Sequence, residues 1–421
     1  MSCQISRSDL LLSFRGSFNE RHPVKDTKKF LMAAVMATGL ALSACAPSAG
    51  TAAPAESGST KAAEPVNVGI IYSKTGPLAA YGATYYEGLQ AGIGHATGGT
   101  GAVNGAKINL TYVDDGGDPD KAVTAAKDLI GKGYKIIGGT VVSGIALKLA
   151  EQAAQNKVLY ISGPAATDAI QGINKYTFRS GRQSLQDVAT AGSFIDTKGK
   201  KVVVFAQDNA FGQGNVAAVK AVLGAKGATV EAVLVPDGQE LTPFARQLID
   251  AKPDMVFVAW AGATSGTMWQ TLSQQGAFDA APIVTGLGDA ATFGAYGEAT
   301  SKISFLNHYF PGAAGNEVEK KMIAAVEKAG KKADLFTPDG FVAGQMIVQA
   351  IKEGGSDADA MVKALEGFSF DGPKGKETVR ASDHALIQDM YQVKLVQTGG
   401  SWAPELIKVV PGDTVAPPEK K

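Results

Sequence analysis

Apolar and polar positions after residue 65 alternate between short, nearly continuous apolar runs and longer segments with a helical period. The first run, residues 66–72, has the composition of a strand that is buried on both faces. Apolar positions at helical spacing follow at 79–93, and the next strand is predicted at 107–113. Asp118-Pro119 predicts a helix start, because Asp caps free amides and Pro fits the first turn. The rest of this first block is a helix at 121–130, a strand at 135–139, a helix at 144–155 and a strand at 157–162.

The same alternation begins again after residue 184 and predicts a second block of similar size. Its strands are predicted at 201–206, 229–235, 254–260, 282–285 and 303–306, and its helices at 212–223, 244–251 and 267–275. The pattern ends with helices at 317–328 and 341–353 and a hairpin of strands at 390–396 and 405–410. Strands that alternate with helices favour parallel sheets covered on both faces, so the predicted fold class is α/β.

The residues before this pattern have the features of an export signal. Lys25, Lys28 and Lys29 precede an apolar run of 13 residues, 30–42, which is too short to span the roughly 30 Å hydrocarbon core of a membrane. The run ends in Leu42-Ser43-Ala44-Cys45, which resembles the bacterial lipoprotein box, where the cysteine receives the lipid. The alternative is an ordinary apolar terminus with a chance cysteine. We predict a signal peptide over 1–44 and a lipid anchor at Cys45.

The segments on either side of this signal carry two further expectations. Residues 45–65 are rich in Ala, Ser, Thr, Gly and Pro, a composition typical of a flexible tether. Residues 1–23 are longer and more mixed in charge than the start of an export signal, so we expect translation to begin later, at a position such as Val24. The two cysteines are Cys3 and Cys45, and we expect no disulfide bond in the mature chain.

The charges of the chain divide at the same place. The full sequence holds 40 basic and 40 acidic residues, and residues 1–44 hold six of the basic and three of the acidic ones. The other 377 residues therefore carry 34 basic and 37 acidic side chains, a net charge of −3. A slightly acidic chain does not favour a nucleic-acid binder, and an apolar fraction of 45% excludes a disordered one. We predict no nucleic-acid partner and attachment to the membrane by lipid only.

Patterns that carry catalysis or metal binding are sparse. The glycines of 139–144 have the spacing of a phosphate loop, but Ile145 stands where that loop requires Lys. No Gly-x-Ser-x-Gly nucleophile turn occurs. The histidines beyond the signal region are far apart, at His95, His308 and His384. Three aspartates cluster like metal ligands, but a strand end followed by a helix cap explains them better; they are Asp114, Asp115 and Asp118. We expect that the protein is not an enzyme and that it binds neither a cofactor nor a metal.

Polar loops follow two strands of the first block, at the edge where doubly wound sheets bind ligands. The loop at 140–144 leads into a helix, so its amides and the Ser143 hydroxyl can meet an anion at the positive end of that helix. The next loop, 164–168, contains Thr167 and Asp168, either of which also suits a helix cap. The two roles are compatible, and we predict that both loops bind a ligand.

An ordered set of short segments extends from about residue 66 to about residue 410. These segments are Gly69–Pro77, Tyr81-Gly82 with Gly88, Asn104-Gly105, Val113–Pro119, Ile136–Gly139 with Ser143, Ile161–Thr167 and Gln207–Gly214. No single segment is diagnostic, but the set in this order is quite specific. It resembles the type I periplasmic binding proteins of ATP-binding-cassette (ABC) importers, in particular the branched-chain amino-acid (Leu/Ile/Val) binding branch.

This resemblance implies two doubly wound parallel-sheet lobes with the ligand in the cleft between them. The chain would cross between the lobes near Gly181, Phe310 and Arg380. The expected bounds are 66–181 plus 311–380 for lobe 1, 182–310 plus 381–411 for lobe 2, and 412–421 for a disordered tail. The implied protein is a lipid-anchored monomer, in the periplasm or on the outer face of the cell membrane. It would capture a small carboxylate-bearing solute and, once closed, be recognised by an ABC permease.

The resemblance also implies roles for residues in the cleft. In the family, the loops that match Thr140–Gly144 and Ala165–Thr167 grip the ligand's carboxylate and ammonium. Tyr81 matches an aromatic residue at the cleft mouth, and Phe211 matches one that the second lobe lays over the ligand. The predicted ligand-binding residues are Tyr81, Val142, Ser143, Ala165, Ala166, Thr167, Phe211, Trp260, Leu287 and Asp289.

Departures from the family pattern concern the identity of the ligand. Val142 stands where the family often has the first of two serines, and Leu287 aligns with the Glu that binds the ammonium in amino-acid binders. Asp289 lies two residues further on, and Trp260 is an extra aromatic residue that suits either core packing or the pocket wall. We predict an amino acid, branched-chain or otherwise hydrophobic. The alternatives are a binder of aromatic or other organic acids for uptake, and a ligand-sensing component of a signalling system.

Overall fold

The computed structural model describes residues 63–193 and 195–420. The predicted export signal, the lipid anchor at Cys45 and most of the tether lie outside these residues. Among the described residues, no helix combines the length and the apolar character that crossing a membrane requires.

The first lobe is built on a six-stranded sheet. Its strands are β1 (Val66–Tyr72), β2 (Ala102–Val103), β3 (Ala106–Asp114), β4 (Ile136–Gly138), β5 (Leu159–Ser162) and β6 (Thr177–Arg179). They lie in the order β2-β3-β1-β4-β5-β6, and all neighbours are parallel except β2 and β3. The helices between these strands are α1 (Ala79–Ala96), α2 (Pro119–Gly131) and α3 (Ser143–Asn156). Because parallel strands end at one edge, the loops after β4 and β5 lie side by side.

The second lobe begins with α4 (Ser184–Ala191) and repeats the arrangement. Its parallel strands are β7 (Lys201–Gln207), β8 (Thr229–Val235), β9 (Met255–Ala259), β10 (Ile283–Gly286) and β11 (Ile303–Asn307). The helices are α5 (Ala210–Val222), α6 (Thr242–Asp250), α7 (Ser265–Gln274), α8 (Ala277–Ala280) and α9 (Phe293–Tyr296).

After β11 the chain returns to the first lobe before it completes the second. The returning elements are α10 (Glu317–Lys328), α11 (Thr337–Gly354), α12 (Ala358–Leu365) and a small antiparallel sheet of β12 (Ser369–Gly372), β13 (Gly375–Val379) and β14 (Leu386–Ile387). The antiparallel hairpin β15 (Met390–Thr398) and β16 (Ser401–Val410) then adds to the edge of the second sheet, in the order β16-β15-β11-β10-β9-β7-β8.

Each lobe has its own apolar core. The first core joins β1, β4 and β5 to α1 and α11. The second sheet has a core on each face, one around Phe205 and Trp269 and the other around Val204 and Val219. The α/β fold with two doubly wound lobes is therefore confirmed.

The chain passes between the lobes after β6, after β11 and after β14. The first two passages are close to Gly181 and Phe310. The third lies after Ile387 and not near Arg380, because Val379 and Leu386 are buried in the first core.

Most predicted elements occur within a few residues of the expected bounds, and the misses have physical causes. The strand β6, the helices α4 and α12, and the small sheet β12–β14 were not predicted, because they are short and owe their stability to the cores that they cover.

The prediction of a disordered tail was wrong for residues 412–420. Val415 packs with Met390 and Val410, and Lys420 N donates to Asp383 Oδ2 at 2.9 Å. These contacts join residues that are distant in sequence, so local composition contains no sign of them.

Candidate functional site

The loops that follow β4 and β5 are tied together at the base of the cleft between the lobes. Thr140 Oγ1 donates to Asp115 Oδ2 at 2.6 Å, and Ser73 Oγ donates to Asp115 Oδ1 at 2.7 Å. Ala165 N donates to Thr140 O at 3.2 Å. Asp115 thus holds the ends of three strands in place, which explains one of the clustered aspartates. Asp118 caps α2, as the sequence predicted.

The loop after β4 presents a free hydroxyl at a helix N-terminus. Ser143 is the first residue of α3, and Val142, which is half-buried, precedes it at the cap position. The Ser143 hydroxyl is buried and has no hydrogen-bond partner. A buried unpaired donor is costly, so an acceptor from a ligand would stabilise it. The positive end of the helix favours an anionic acceptor.

The loop after β5 presents a second hydroxyl. Thr167 Oγ1 accepts a hydrogen bond from Ala169 N at 3.2 Å and so caps a short 3-10 turn, which leaves its hydrogen to donate. Ala165 and Ala166 are buried, and Ala166 O accepts from Ser184 N at 2.9 Å. The backbone of this loop is therefore fixed from both sides, and the capping role of Thr167 is confirmed.

An aromatic and cationic cluster lines the cleft between these loops and the second passage. The Phe336 ring lies 4.8 Å from the Tyr81 ring and 4.9 Å from the His308 ring, centroid to centroid. The Arg182 guanidinium carbon lies 5.5 Å from the centroid of the same Phe336 ring. Burial, and then Arg182 and Lys374, hold the pKa of His308 well below its usual value, so its imidazole is neutral at pH 7.

Two aromatic residues of the second lobe are half-buried near the ends of their strands. Phe211 lies in the first turn of α5, which Asn209 caps. The Trp260 ring stacks on Phe205 at 5.7 Å, and its Nε1 donates to Thr264 Oγ1 at 2.9 Å. Stacking explains the position of Trp260, while its partial exposure leaves part of the ring free for a ligand.

The two lobes touch at the rim of the cleft. Ala263 N of the second lobe donates to Pro77 O of the first at 3.1 Å. The amide of Gly262 lies 3.5 Å from the Tyr81 hydroxyl oxygen. Tyr81 therefore lies at a contact between the two lobes.

Leu287 and Asp289 differ sharply in their surroundings. Leu287 is 3% exposed and packs within the core of the second lobe, so the position that aligns with a Glu brings no polar group to the cleft. Asp289 is 8% exposed, and its Oδ1 has no hydrogen-bond partner. Burial, and then Asp334, raise the pKa of Asp289, while burial, and then Asp289, raise the pKa of Tyr81. Asp334 belongs to the first lobe and accepts from Ala290 N at 3.1 Å.

Four residues of this cleft were missed by the sequence analysis: Arg182, His308, Asp334 and Phe336. Arg182 and His308 lie in the passages between the lobes. The predicted lobe boundaries near Gly181 and Phe310 were the only feature of the sequence that pointed to these two residues. Asp334 and Phe336 come just before α11 and follow no strand, so the rule that ligands bind at strand ends does not find them.

Comparison with known proteins agrees with this architecture. A family model described as periplasmic binding protein matches residues 65–401. The chain belongs to this family. It is 27% identical to Leu/Ile/Val-binding protein homolog 3 of Brucella melitensis over 309 residues, 71% of this chain and 83% of that protein.

Solved structures give the same result. The crystal structure of an ABC-type branched-chain amino acid transporter from Rhodopseudomonas palustris is 31% identical, with a TM-score of 0.71, and the match covers 85% of this chain and 100% of that one. A solute-binding protein from R. palustris in complex with 4-hydroxybenzoate is 21% identical, with a TM-score of 0.74 and coverage of 82% and 97%. This periplasmic binding protein is the solute-binding component of an ABC transporter and not an enzyme, and its family acts outside the cytoplasm.

Proposed function

We propose that the cleft binds an α-amino acid with an apolar side chain and delivers it to an ABC permease. The observation that carries this proposal is the buried Asp289, whose Oδ1 has no partner and whose pKa is raised by burial and then by a second carboxylate, Asp334 of the first lobe. Because Asp334 makes the ionisation of Asp289 more costly, a cation beside Asp289 would offset that cost. An ammonium group is the cation that an amino acid supplies.

The opposite side of the cleft suits a carboxylate. Ser143 offers a buried, unpaired hydroxyl at a helix N-terminus, and Thr167 keeps a hydrogen to donate. Tyr81 lies between the two sides, since both Asp289 and Arg182 act on its hydroxyl group electrostatically. The rings of Tyr81, Phe211, Trp260 and Phe336 provide apolar surface for a side chain.

The names of relatives support an amino acid, because several are Leu/Ile/Val-binding proteins. The second candidate is an aromatic carboxylate. It is favoured by the ring of Phe336 beside the cationic Arg182. Structures that share the fold hold benzoate and hydroxybenzoates.

Titration calorimetry of the ligand-free protein separates these candidates. L-leucine, its deaminated analogue 4-methylpentanoate and benzoate form the test set. We expect leucine to bind at least a hundredfold more tightly than 4-methylpentanoate, since a buried ion pair is lost without the ammonium. Equal affinity for leucine and 4-methylpentanoate removes the role of Asp289, and preference for benzoate establishes the second candidate.

The raised pKa of Asp289 predicts the direction of the pH dependence. Its carboxylate must be ionised to bind an ammonium, so leucine affinity falls as the pH drops through a pKa that lies above the ordinary 3.8. Asp289→Asn should bind leucine weakly and without this dependence. An unchanged pH profile in Asp289→Asn contradicts the assignment.

We also propose that Cys45 carries a lipid and that the mature protein is a monomer. Metabolic labelling with a radioactive fatty acid tests the anchor, with Cys3→Ser as the matched control for Cys45→Ser. Label that survives in Cys45→Ser contradicts the anchor. Sedimentation at micromolar concentration tests the monomer, and a dimeric mass contradicts it.

A further inference from the structure

The segment that follows β16, residues 411–420, contacts both lobes, and we refer to it as the tail segment. Its first half lies on the second lobe, where Val415 is buried and packs with Met390. Gly412 N donates to Asp389 Oδ1 at 2.9 Å. Because Asp389 belongs to the third passage between the lobes, the tail segment begins beside that passage.

The second half of the tail segment is held by the first lobe. Pro417 is buried, and its carbonyl oxygen accepts from Arg380 Nη1 at 2.9 Å. Pro418 O accepts from Gln171 Nε2 at 2.8 Å. Gln171 lies between β5 and β6 and Arg380 directly follows β13, so both belong to the first lobe. The tail segment therefore crosses from the second lobe to the first, beside the three passages already described.

A buried carboxylate of the first lobe completes this anchor. Arg380 donates to both oxygens of Asp383 at 2.8 Å, and Gln171 Nε2 donates to Oδ2 at 2.6 Å. Lys420 N donates to the same Oδ2 at 2.9 Å. Removal of a donor from a buried carboxylate is costly, so detachment of the tail segment from the first lobe is opposed.

The link between the two anchors has little slack. Ala416 alone separates the buried Val415 from the buried Pro417, and its φ of −57° and ψ of 135° are those of polyproline II. In that conformation the chain advances about 3.1 Å per residue, out of a maximum of about 3.6 Å. If the lobes move apart here by more than about 1 Å along the chain, one anchor must strain or break.

We propose that the tail segment is a fourth connection between the lobes and limits how far they separate. The two lobes also touch at the rim of the cleft, where Ala263 N donates to Pro77 O, so a larger separation exposes the amide of Ala263 to solvent. The inference goes beyond the proposed function and does not depend on which solute the cleft binds.

An insertion tests the limit, because it adds length without removing a contact. Four Gly and Ser residues between Ala416 and Pro417 slacken the link, and the same insertion between Gly399 and Gly400, in the exposed turn of the β15–β16 hairpin, is the matched control. Hydrogen exchange of the ligand-free protein, followed by mass spectrometry, reports on peptides that contain Ala263. We expect exchange there to be at least threefold faster with the tail insertion and unchanged with the control insertion.

Val415→Ala loosens the anchor on the second lobe and adds no length, so it should accelerate exchange at Ala263 as well. Its matched control is Val409→Ala, since Val409 is exposed on β16. Peptides from β7, in the core of the second lobe, should exchange as in the wild type in every variant.

The outcomes separate a connection between the lobes from a merely structural contact. Exchange at Ala263 that is unchanged or slower in both tail variants overturns the inference. Faster exchange in β7 as well means that the second lobe unfolds, and this result also overturns the inference. A protein that binds no amino acid contradicts the proposed function and leaves this test unaffected.

Discussion

The two lobes share a topology but differ in the residues through which their helices pack, which are glycines in the first lobe and large aromatic residues in the second. In the first lobe, α1 and α11 cross through glycines from both helices, so that backbone lies against backbone. In the second lobe, α7 and α9 pack through a set of large rings. The difference shows how each lobe positions its half of the candidate site.

The glycine contact of the first lobe leaves no free space. A Cβ at Gly88 would lie 1.9 Å from Thr337 O, and one at Gly340 would lie 2.0 Å from Tyr85 O. Tyr81 is near the start of α1 and Phe336 immediately precedes α11. The close crossing therefore sets the distance between these two rings of the cleft.

The aromatic cluster of the second lobe supports a loop instead. The Trp269 ring lies 5.0 Å from Tyr296, and Tyr296 lies 4.9 Å from Phe305. The hydroxyl of Tyr296 accepts from Gly288 N at 3.0 Å, between Leu287 and Asp289. A side chain thus holds the loop that carries Asp289. Packed side chains can shift to accommodate a substitution more easily than two backbones in direct contact can.

Gly88→Ala should produce the largest effect, because it breaks the contact between α1 and α11. The added methyl group must displace Thr337 O, and we expect a loss of about 3 kcal/mol or more in the free energy of unfolding, or failure to fold. Urea unfolding followed by circular dichroism measures it. Gly94→Ala is the matched control in the same helix, since a Cβ there meets nothing within 4 Å. Equal stability of the two variants contradicts the rigid contact.

The contrast between the lobes also explains what the sequence predicts well. Long strands and helices such as β1, α1 and α10 were predicted closely, because their apolar periods reflect burial in a core. Gly88 was noted as part of a family pattern, but its partner Gly340 was not. Which helices cross depends on contacts between residues about 250 positions apart, and no local period contains that information.

The residues of the candidate site also divide into those that the sequence predicts and those that it does not. The loops with Ser143 and Thr167 come directly after strands, so the sequence predicts them. Arg182 and Asp334 reach the cleft through the passages and through the return of the chain to the first lobe. Their position follows from tertiary structure and not from a motif.

Thr167→Ala and Ser143→Ala test the part of the candidate site that the first lobe provides. We expect both variants to bind the ligand more weakly and to change the free energy of unfolding little. Each removes one donor to a carboxylate, and hydrogen bonds to charged groups contribute about 1.5–3 kcal/mol, so we expect at least tenfold weaker binding. Calorimetry with leucine measures the affinity. Ser369→Ala, remote on β12, is the control and should bind normally. Unchanged affinity in both site variants means that the carboxylate lies elsewhere.

Tyr296→Phe tests the second lobe, where the loop with Asp289 depends on one hydroxyl. Its loss leaves the amide of Gly288 without that acceptor, and we expect about 1 kcal/mol lower stability and severalfold weaker leucine binding. Tyr86→Phe is the control, because the Tyr86 hydroxyl bonds to the exposed Gln90. If both variants bind as the wild type does, the aromatic cluster does not hold the loop.

Trp260→Phe should have the smallest effect and decides between the two roles of this ring. A phenyl ring keeps the stacking on Phe205 but loses the bond from Nε1 to Thr264, so stability should change by less than about 1 kcal/mol. If Trp260 also forms the pocket wall, the smaller ring leaves space, and the ratio of affinities for phenylalanine and valine should shift severalfold. Calorimetry with these two amino acids measures that ratio. A constant ratio means that Trp260 serves core packing alone, and that the second lobe contacts the ligand through Phe211 and Asp289.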